Sequence, residues 1–570
     1  LATFAEIVRS RAADDQTGLK FEDQSWTWSE LVAESAVRAA AVQQFVPTDR
    51  QLHVGVLLEN TPDFVFWIAA AALSGAVVVG INPTRRGDEL ARDIRHTDCD
   101  LIITEDRLAH LLDGIDHGVP ADKVLNVDSA GYLALLEPHR GAALPTTSPD
   151  PDAILLLLFS SGSTGAPKAV ICSQGRLGML AETLTVRTEL SRESVSYMSM
   201  PLFHGNSAMM NLAPATFVGA TVCLARKFSA SGFVRDVHRF RATYANYVGR
   251  ALSYVLAQPL DERDAASSLS LVVGTEASAA DAERFAARFG CRVSEGYGLS
   301  EGVLRINRTA ESPSDALGLP VGGADARVLN ETTGHECPPA ECDEQGRLLN
   351  APEAIGQIVA MGMAHLFEGY YNNPGAMADR IRGTDFWTGD LAYRDAAGQF
   401  FFAGRSNDWL RVDSENFAAA PVERILERWD AVAVALVYAV PDPRTGDQVM
   451  CTLQMQPGQQ FEPDAFVEFL DQQADMGTKW RPRFVRVVEQ VPTTGNSKVA
   501  KTVLRQTAWA TGDPLYWRAS TERDLRRLTR ADLDALEQEF ADHGRTALLP
   551  TPRGSEDDGA AIHREDSNVS

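Results

Sequence analysis

Positive charge is the first thing this sequence is short of. Its 570 residues carry 53 Lys and Arg against 77 Asp and Glu, a formal net charge of -24. Such a surface repels a polyanion, which argues against a general nucleic-acid role. Cysteine is scarce too. The seven, Cys99, Cys172, Cys223, Cys291, Cys337, Cys342 and Cys451, are odd in number and mostly scattered. They suggest no disulfide framework and read as reduced, cytoplasmic thiols. Cys337 and Cys342 lie near His335, yet no further ligands follow at the regular spacing a metal knuckle needs. No secretory leader is read at Leu1, which runs directly into the amphipathic stretch Phe4–Arg9. The uncharged run from Phe64 to Ile81 is broken by Ser74-Gly75 and continues as β-branched Val77-Val78-Val79. It predicts a buried helix followed by a buried strand, not a membrane span of ~20 residues. Internal repeats are missing as well.

What is present is an ordinary globular composition, 45% hydrophobic and 23% charged, in a chain long enough for two or more domains. Strand-like runs (Val54–Leu58, Leu101–Thr104, Ile154–Phe159, Thr221–Ala225, Leu271–Val273) alternate with helical patterns (Asp63–Leu73, Ser229–Phe240, Ala279–Phe289). This alternation predicts an α/β architecture with largely parallel sheets. Around Leu391–Gly404 the pattern changes to short strands about a turn at Asp395-Ala-Ala-Gly398. A smaller unit starts near Gly404. Pro421 opens a helix with Val422, Ile425 and Leu426 on its buried face, and strands Val432–Val440 and Val449–Gln454 follow. Helices are expected at Pro463–Gln473 and Arg530–Phe540. The expected organisation is a large domain of layered sheets with helices over 1–404, a small α+β domain over 405–545 and a disordered tail over 546–570.

The strongest local motif is Phe159-Ser-Ser-Gly-Ser-Thr-Gly-Ala-Pro-Lys168, directly after an apolar strand. Gly162 and Gly165 let the backbone approach a ligand. The hydroxyls of Ser160, Ser161, Ser163 and Thr164 donate hydrogen bonds, and Lys168 adds a positive charge; together they suit a polyphosphate. The Walker pattern is absent.

This loop resembles the signature phosphate loop of the adenylate-forming superfamily, which includes acyl-CoA synthetases, luciferases and peptide-synthetase adenylation domains. The resemblance recurs in order from about residue 20 to residue 545. In Glu295-Gly-Tyr-Gly-Leu-Ser-Glu301, Tyr297 can stack on an adenine with Gly296 and Gly298 beside it, and Glu301 offers a hard carboxylate to Mg2+ on the triphosphate. Ser300 stands where the family usually has Thr. In Trp387-Thr-Gly-Asp390 the resemblance assigns the ribose hydroxyls to Asp390. In Gly404-Arg-Ser-Asn-Asp-Trp-Leu-Arg411 it places Arg405 on phosphate or ribose and Asn407 at the hinge of a rotating C-terminal domain. Asn407 departs from the family's Asp or Lys. Pro492-Thr-Thr-Gly-Asn-Ser-Lys498 is similar to the family's last motif, with Ser497 in place of Gly. Lys498 then stabilises charge building on the α-phosphate and attacking carboxylate. Lys501 is the competing assignment; register with Pro492 and Thr494 favours Lys498. His204, in Pro201-Leu-Phe-His204, matches the residue between the ATP and acyl sites.

Arg226–Phe233, Tyr247–Arg250 and Phe367-Glu-Gly-Tyr-Tyr-Asn372 resemble the fatty-acid-transport-protein and very-long-chain acyl-CoA synthetase branch. Asp408–Asp413 with Lys479–Arg483 resembles actinobacterial members that act on fatty acids or steroid side-chain acids. The resemblance implies ATP, Mg2+ and coenzyme A, with an acyl pocket at Val248, Gly249 and Gly274–Ser278. It is compatible with a homodimer and with peripheral membrane contact. Two readings stand beside CoA ligation: an acyl-AMP ligase loading a carrier protein, and a lipid-uptake protein. Two departures stand out. Ser414 replaces a Gly near the pantetheine tunnel, and Gln357 replaces a Glu at what is expected to be a surface turn.

Overall fold

The computed structural model describes residues 2–550 apart from 147, 161–167, 250, 276, 278, 344–347, 406–408, 413–414, 445–446, 474–475, 478, 494–498, 500, 519–523 and 544. The predicted helix and strand over the uncharged run are both there. Pro62–Ser74 is a helix with Pro in its first turn, and Gly75 ends it at φ +77°, a conformation that disfavours a side chain. Strand Val77–Gly80 follows. Phe64, Trp67 and Ile68 are each 1% exposed, so the helix is apolar because it is buried on all sides, each large side chain stabilising the fold by about 1.5–3 kcal/mol. Among the described residues, no helix is long and apolar enough to cross a membrane.

Two sheets form the large α/β part. In the first, strands run in the order Val124–Asn126, Leu101–Thr104, His53–Leu57, Val77–Gly80, Ile154–Ser160, Lys168–Ser173. It is parallel up to its last pair, which is antiparallel. In the second, Arg305–Asn307, Arg292–Gly298, Leu271–Thr275, Tyr244–Val248, Val195–Met198, Thr221–Leu224 and Thr17–Phe21 are successive neighbours. Its centre is parallel and its ends are antiparallel. The buried β-branched runs read from the sequence are these central strands, covered by helices on their faces.

A third, antiparallel sheet contains Ala326–Leu329, Gly356–Ala360, Asp385–Arg394 and Phe400–Arg405. The expected turn is present, Gly398 donating its N–H to Asp395 O at 3.0 Å. Here one expectation is corrected. Gln357 is not at a surface turn: it is buried in strand Gly356–Ala360 and its amide donates to Glu331. A glutamate there would face a second carboxylate, which is the physical reason an amide suits the position.

The C-terminal α+β part has the sheet Val432–Pro441, Asp447–Met455, Phe484–Val488, Leu515–Trp517 and Arg526–Arg527. Helix Ala419–Leu426 buries Val422, Ile425 and Leu426, as the pattern predicts. Those side chains share one apolar cluster with Leu391, Tyr393 and Phe401 of the third sheet and with Val437 and Leu453 of the C-terminal sheet. Helix Arg530–Asp542 starts in a capping box, Thr529 and Asp532 each satisfying the other's backbone N–H.

Candidate active site

Strand Ile154–Ser160 turns back into strand Lys168–Ser173, with Ser160 paired opposite Lys168. Ser161, Gly162, Ser163, Thr164 and Gly165, between them, lie outside the described residues. Lys168 is buried, with its ammonium 5.9 Å from the centre of the Tyr370 ring. Burial, helped by the nearby Arg380, holds its pKa below the ordinary lysine value, with Asp379 and Glu301 pulling the other way. The segment carrying Tyr370 is laced to the same strand: Tyr371 N–H donates to Ala169 O at 2.8 Å and Ile171 N–H to Gly369 O at 3.1 Å.

That lacing brings Tyr370 onto Glu301. The carboxylate is 6% exposed and accepts from the Tyr370 hydroxyl. Burial and Glu301 push the Tyr370 pKa up, so the phenol keeps its proton and remains a donor. Arg380 also bonds Tyr370 and lies in the field of Glu301 and Asp390. Two cations and one anion thus surround one phenol, an arrangement that suits a polyanionic ligand. Ser300 is fixed through its backbone, its carbonyl accepting from Arg176 Nη2 at 2.8 Å.

Strand Arg292–Gly298 sends Tyr297 to Asp390, hydroxyl to carboxylate, at 2.7 Å in the interior. Asp390 N–H donates to Thr388 Oγ1 at 3.1 Å, and Thr388 hydroxyl to Ile358 O at 2.8 Å. Burial and Asp390 together keep Tyr297 protonated. Arg405 ends its strand in register opposite Asp390. A Cβ on Gly298 would meet nothing within 4 Å, so the strand is open there on the face opposite the Tyr297 side chain.

Glu295 accepts from the Tyr247 hydroxyl and, at 3.3 Å, from Ala277 N–H. Tyr247 lies across Gly274, where a Cβ would come 2.5 Å from the ring. Val248 is buried next to it, and Gly249 N–H donates to Thr275 O at 2.9 Å. His204 is half-buried, its ring 4.5 Å from that of Phe203, at the start of the helical turn Gly205–Ser207. Asn407, Ser414 and Lys498 lie outside the described residues. Lys501, the rival to Lys498, pairs with Glu423 at 2.6 Å.

Sequence reasoning did not single out Tyr370, Arg380, Arg176 or Tyr247. Tyr370 and Tyr247 sit inside segments quoted for their likeness to one branch of the superfamily, which was the available signal. Arg380 and Arg176 belong to no local pattern and reach the site only through folding.

A large α/β part followed by a smaller α+β part is the fold of an adenylate-forming ligase, and the chain matches that class along most of its length. Residues 7–371 match the family described as AMP-binding enzyme, and residues 421–498 match the AMP-binding enzyme C-terminal domain. The chain is 47% identical over 550 residues to a steroid-22-oyl-CoA synthetase of Rhodococcus jostii, covering 96% of this chain and 99% of that protein. It is 43% identical over 516 residues to the medium/long-chain-fatty-acid–CoA ligase FadD17 of Mycobacterium marinum, covering 90% of this chain and 98% of that one. The crystal structure of ATP-bound MatB from Rhodopseudomonas palustris shares the fold, with a TM-score of 0.76 at 22% identity over 88% of this chain and 98% of that one. The chain belongs to the AMP-binding enzyme family and is an ATP-dependent ligase that forms acyl-CoA by way of an acyl-adenylate.

Proposed function

We propose that the acid activated by this ligase is lipid-like, either a fatty acid or a steroid side-chain acid. The observation that supports this is the 47% identity, over 96% of the chain, to a relative named for a steroid-22-oyl acid. In the first step a carboxylate oxygen of the acid attacks the α-phosphorus of ATP, the bond to the bridging oxygen breaks, and pyrophosphate leaves. No protein nucleophile takes part; positioning and charge stabilisation do the work. Ser160, Ser161, Gly162, Ser163, Thr164 and Gly165 cradle the phosphates with Lys168 and Arg405. Tyr297 flanks the adenine with Glu295, Gly296, Gly298 and Ser300, while Asp390 accepts from the ribose hydroxyls. Lys498 offsets the charge that builds between carboxylate and α-phosphate, and His204 separates the nucleotide from the acyl chain. Val248, Gly249 and Gly274 line the acyl side.

The residues present fit magnesium: Glu301 offers a buried carboxylate, one oxygen of which accepts from Tyr370, and such a hard oxygen ligand suits an ion that keeps its waters and takes its other ligands from phosphate. Glu301 would hold it, and the ion would neutralise triphosphate charge. In the second step residues 405–545 rotate about Asn407. The CoA thiolate then attacks the acyl-AMP carbonyl carbon and AMP leaves. Ser414 adds a side chain beside the pantetheine path, so Ser414→Gly should speed thioester formation more than pyrophosphate release; equal effects on both would refute that role.

The test is pyrophosphate release from ATP with a panel of fatty acids and steroid carboxylic acids, each with and without CoA. Acid-dependent release sustained only with CoA is expected. Release that free CoA cannot sustain would instead favour a carrier-protein acceptor, and no release with any acid would overturn the assignment.

A further inference from the structure

Tyr297 occupies one face of strand Arg292–Gly298, and alternation puts Gly296 and Gly298 on the other. The neighbouring strand sets Asn307 opposite Gly296 and Arg305 opposite Gly298, so Arg305 and Asn307 share the glycine face. Helix Gln174–Thr188 delivers Arg187 to the same place. A Cβ built on Gly296 would lie 2.5 Å from Arg187 Nη2 and 2.8 Å from Asn307 Oδ1. Glycine at 296 therefore makes room for the guanidinium, and glycine at 298 leaves open space next to it.

Among the described residues, these three half-buried side chains have unmet hydrogen-bonding capacity. Arg187 Nε and Asn307 Oδ1 are shielded from water and have no hydrogen-bond partner among the described residues. No ion pair or hydrogen bond of the Arg187 or Arg305 guanidinium occurs among the described residues, in a chain with 77 acidic residues to 53 basic ones. Glu295 is the acid in the field of Arg187, but alternation sends it to the opposite face, where it is engaged by Tyr247 and Ala277. A guanidinium half shielded from water and without an acceptor is costly, and two together call for something that satisfies them. The floor beyond is polar as well. Asn246, on the same sheet face, bonds Asn206 and Asn211, and Asn211 accepts from Ser196 at 2.8 Å.

We propose that Arg187 and Arg305, with Asn307 beside them, form a specificity subsite for a second oxygen-bearing group of the acid substrate, remote from the carboxyl that is activated. This rests on the acyl-activating assignment above. Guanidinium offers a fork of N–H donors and no acceptor, so its match is an acceptor-only oxygen, either carboxylate or ketone. The two positive charges rank a carboxylate above a ketone, and both above a plain hydrocarbon end.

The experiment uses the full chain and acids on one skeleton that supports pyrophosphate release, differing only in a far end that is hydrocarbon, keto or carboxylate. The wild type is expected to show higher kcat/KM for the two oxygenated acids. Arg187→Met and Arg305→Met should each lower those values about 10- to 100-fold and the hydrocarbon-ended acid less than about threefold. Arg187→Lys, which keeps charge and loses the fork, should recover part of the loss for the carboxylate. Activity with the hydrocarbon-ended acid reports folding and nucleotide binding in every variant. Equal losses for all three acids, no loss, or a wild type that prefers the hydrocarbon end would overturn the proposal while leaving acyl activation intact. No release with any acid would overturn acyl activation itself, and the subsite with it.

Discussion

Among the described residues, the Tyr370 phenol is the hydrogen-bond donor to the Glu301 carboxylate. Tyr370→Phe removes that donor and should lower the rate of pyrophosphate release about tenfold or more, the scale of one hydrogen bond to a charged group. The Mg2+ concentration for half-maximal activity should rise with it, read by titration, while the melting midpoint changes little; an unaltered Mg2+ dependence would refute the role given to Tyr370. Gln357 makes the opposite point, since its neutrality matters. Gln357→Glu sets a carboxylate against Glu331 in a buried strand and should cost about 1–3 kcal/mol at neutral pH. The loss should shrink below pH ~4.5, where one of the two carboxyls takes a proton, as urea unfolding at two pH values would show. Gln357 was visible in the sequence as a departure from Glu, but its burial was not, because a strand's depth depends on what packs over it.

Among elements, helix Gly87–His96 carries an unusual acid. Asp93 is 1% exposed, and burial pushes its carboxyl up to about 6 even though Arg85 Nε is 2.8 Å away. The folded chain therefore keeps a proton there that the unfolded chain, with a pKa of 3.8, has released. That contributes stability at low pH which is lost as pH rises through about 6. Asp93→Asn has no such loss, so the stability of the variant relative to the wild type should improve by about 2–3 kcal/mol between pH 4 and pH 7.5 in parallel urea unfolding curves. Strand Leu271–Thr275 offers a steric counterpart. Gly274→Ala drives a methyl into the Tyr247 ring and should destabilise by about 1–3 kcal/mol and disturb the Tyr247–Glu295 contact. Calorimetry checks the first effect and ATP affinity the second. The elements themselves were largely legible: the strands at Leu101–Thr104 and Ile154–Ser160 and the helices at Ala230–Phe240 and Ala279–Phe289 stand within a residue or two of the periodic runs that predict them.

For the whole molecule, the packing of the C-terminal part bears on the rotation proposed for it. In this structure helix Ala419–Leu426 shares an apolar cluster with the third sheet, and Arg424 Nη1 donates to Phe402 O at 2.9 Å. The rotation about Asn407 proposed above would have to carry that helix past the sheet or take part of the sheet with it. Asn407→Pro removes a backbone donor and fixes φ at the proposed hinge. It should leave acid-dependent pyrophosphate formation in a single turnover nearly intact and slow acyl-CoA formation at least tenfold; equal slowing of both would place the hinge elsewhere.

The sequence by itself determined the α/β class, the small α+β end, and the Ser/Thr/Gly-rich run bounded by a strand and Lys168, all written in short-range signals: periodicity, turn residues, and donor-rich motifs a few residues long. The acyl-activating chemistry came with the resemblance of an ordered series of such motifs to a known superfamily. Only the tertiary structure decided that Tyr297 meets Asp390 across 93 positions, that Tyr370 holds Glu301 across 69, and that Arg187 stands over Gly296 facing Asn307. No local period encodes such pairs. They exist because parallel strands and the helices packed on them bring distant segments to one sheet end, where burial removes water and makes each remaining donor and charge answer to its new neighbours.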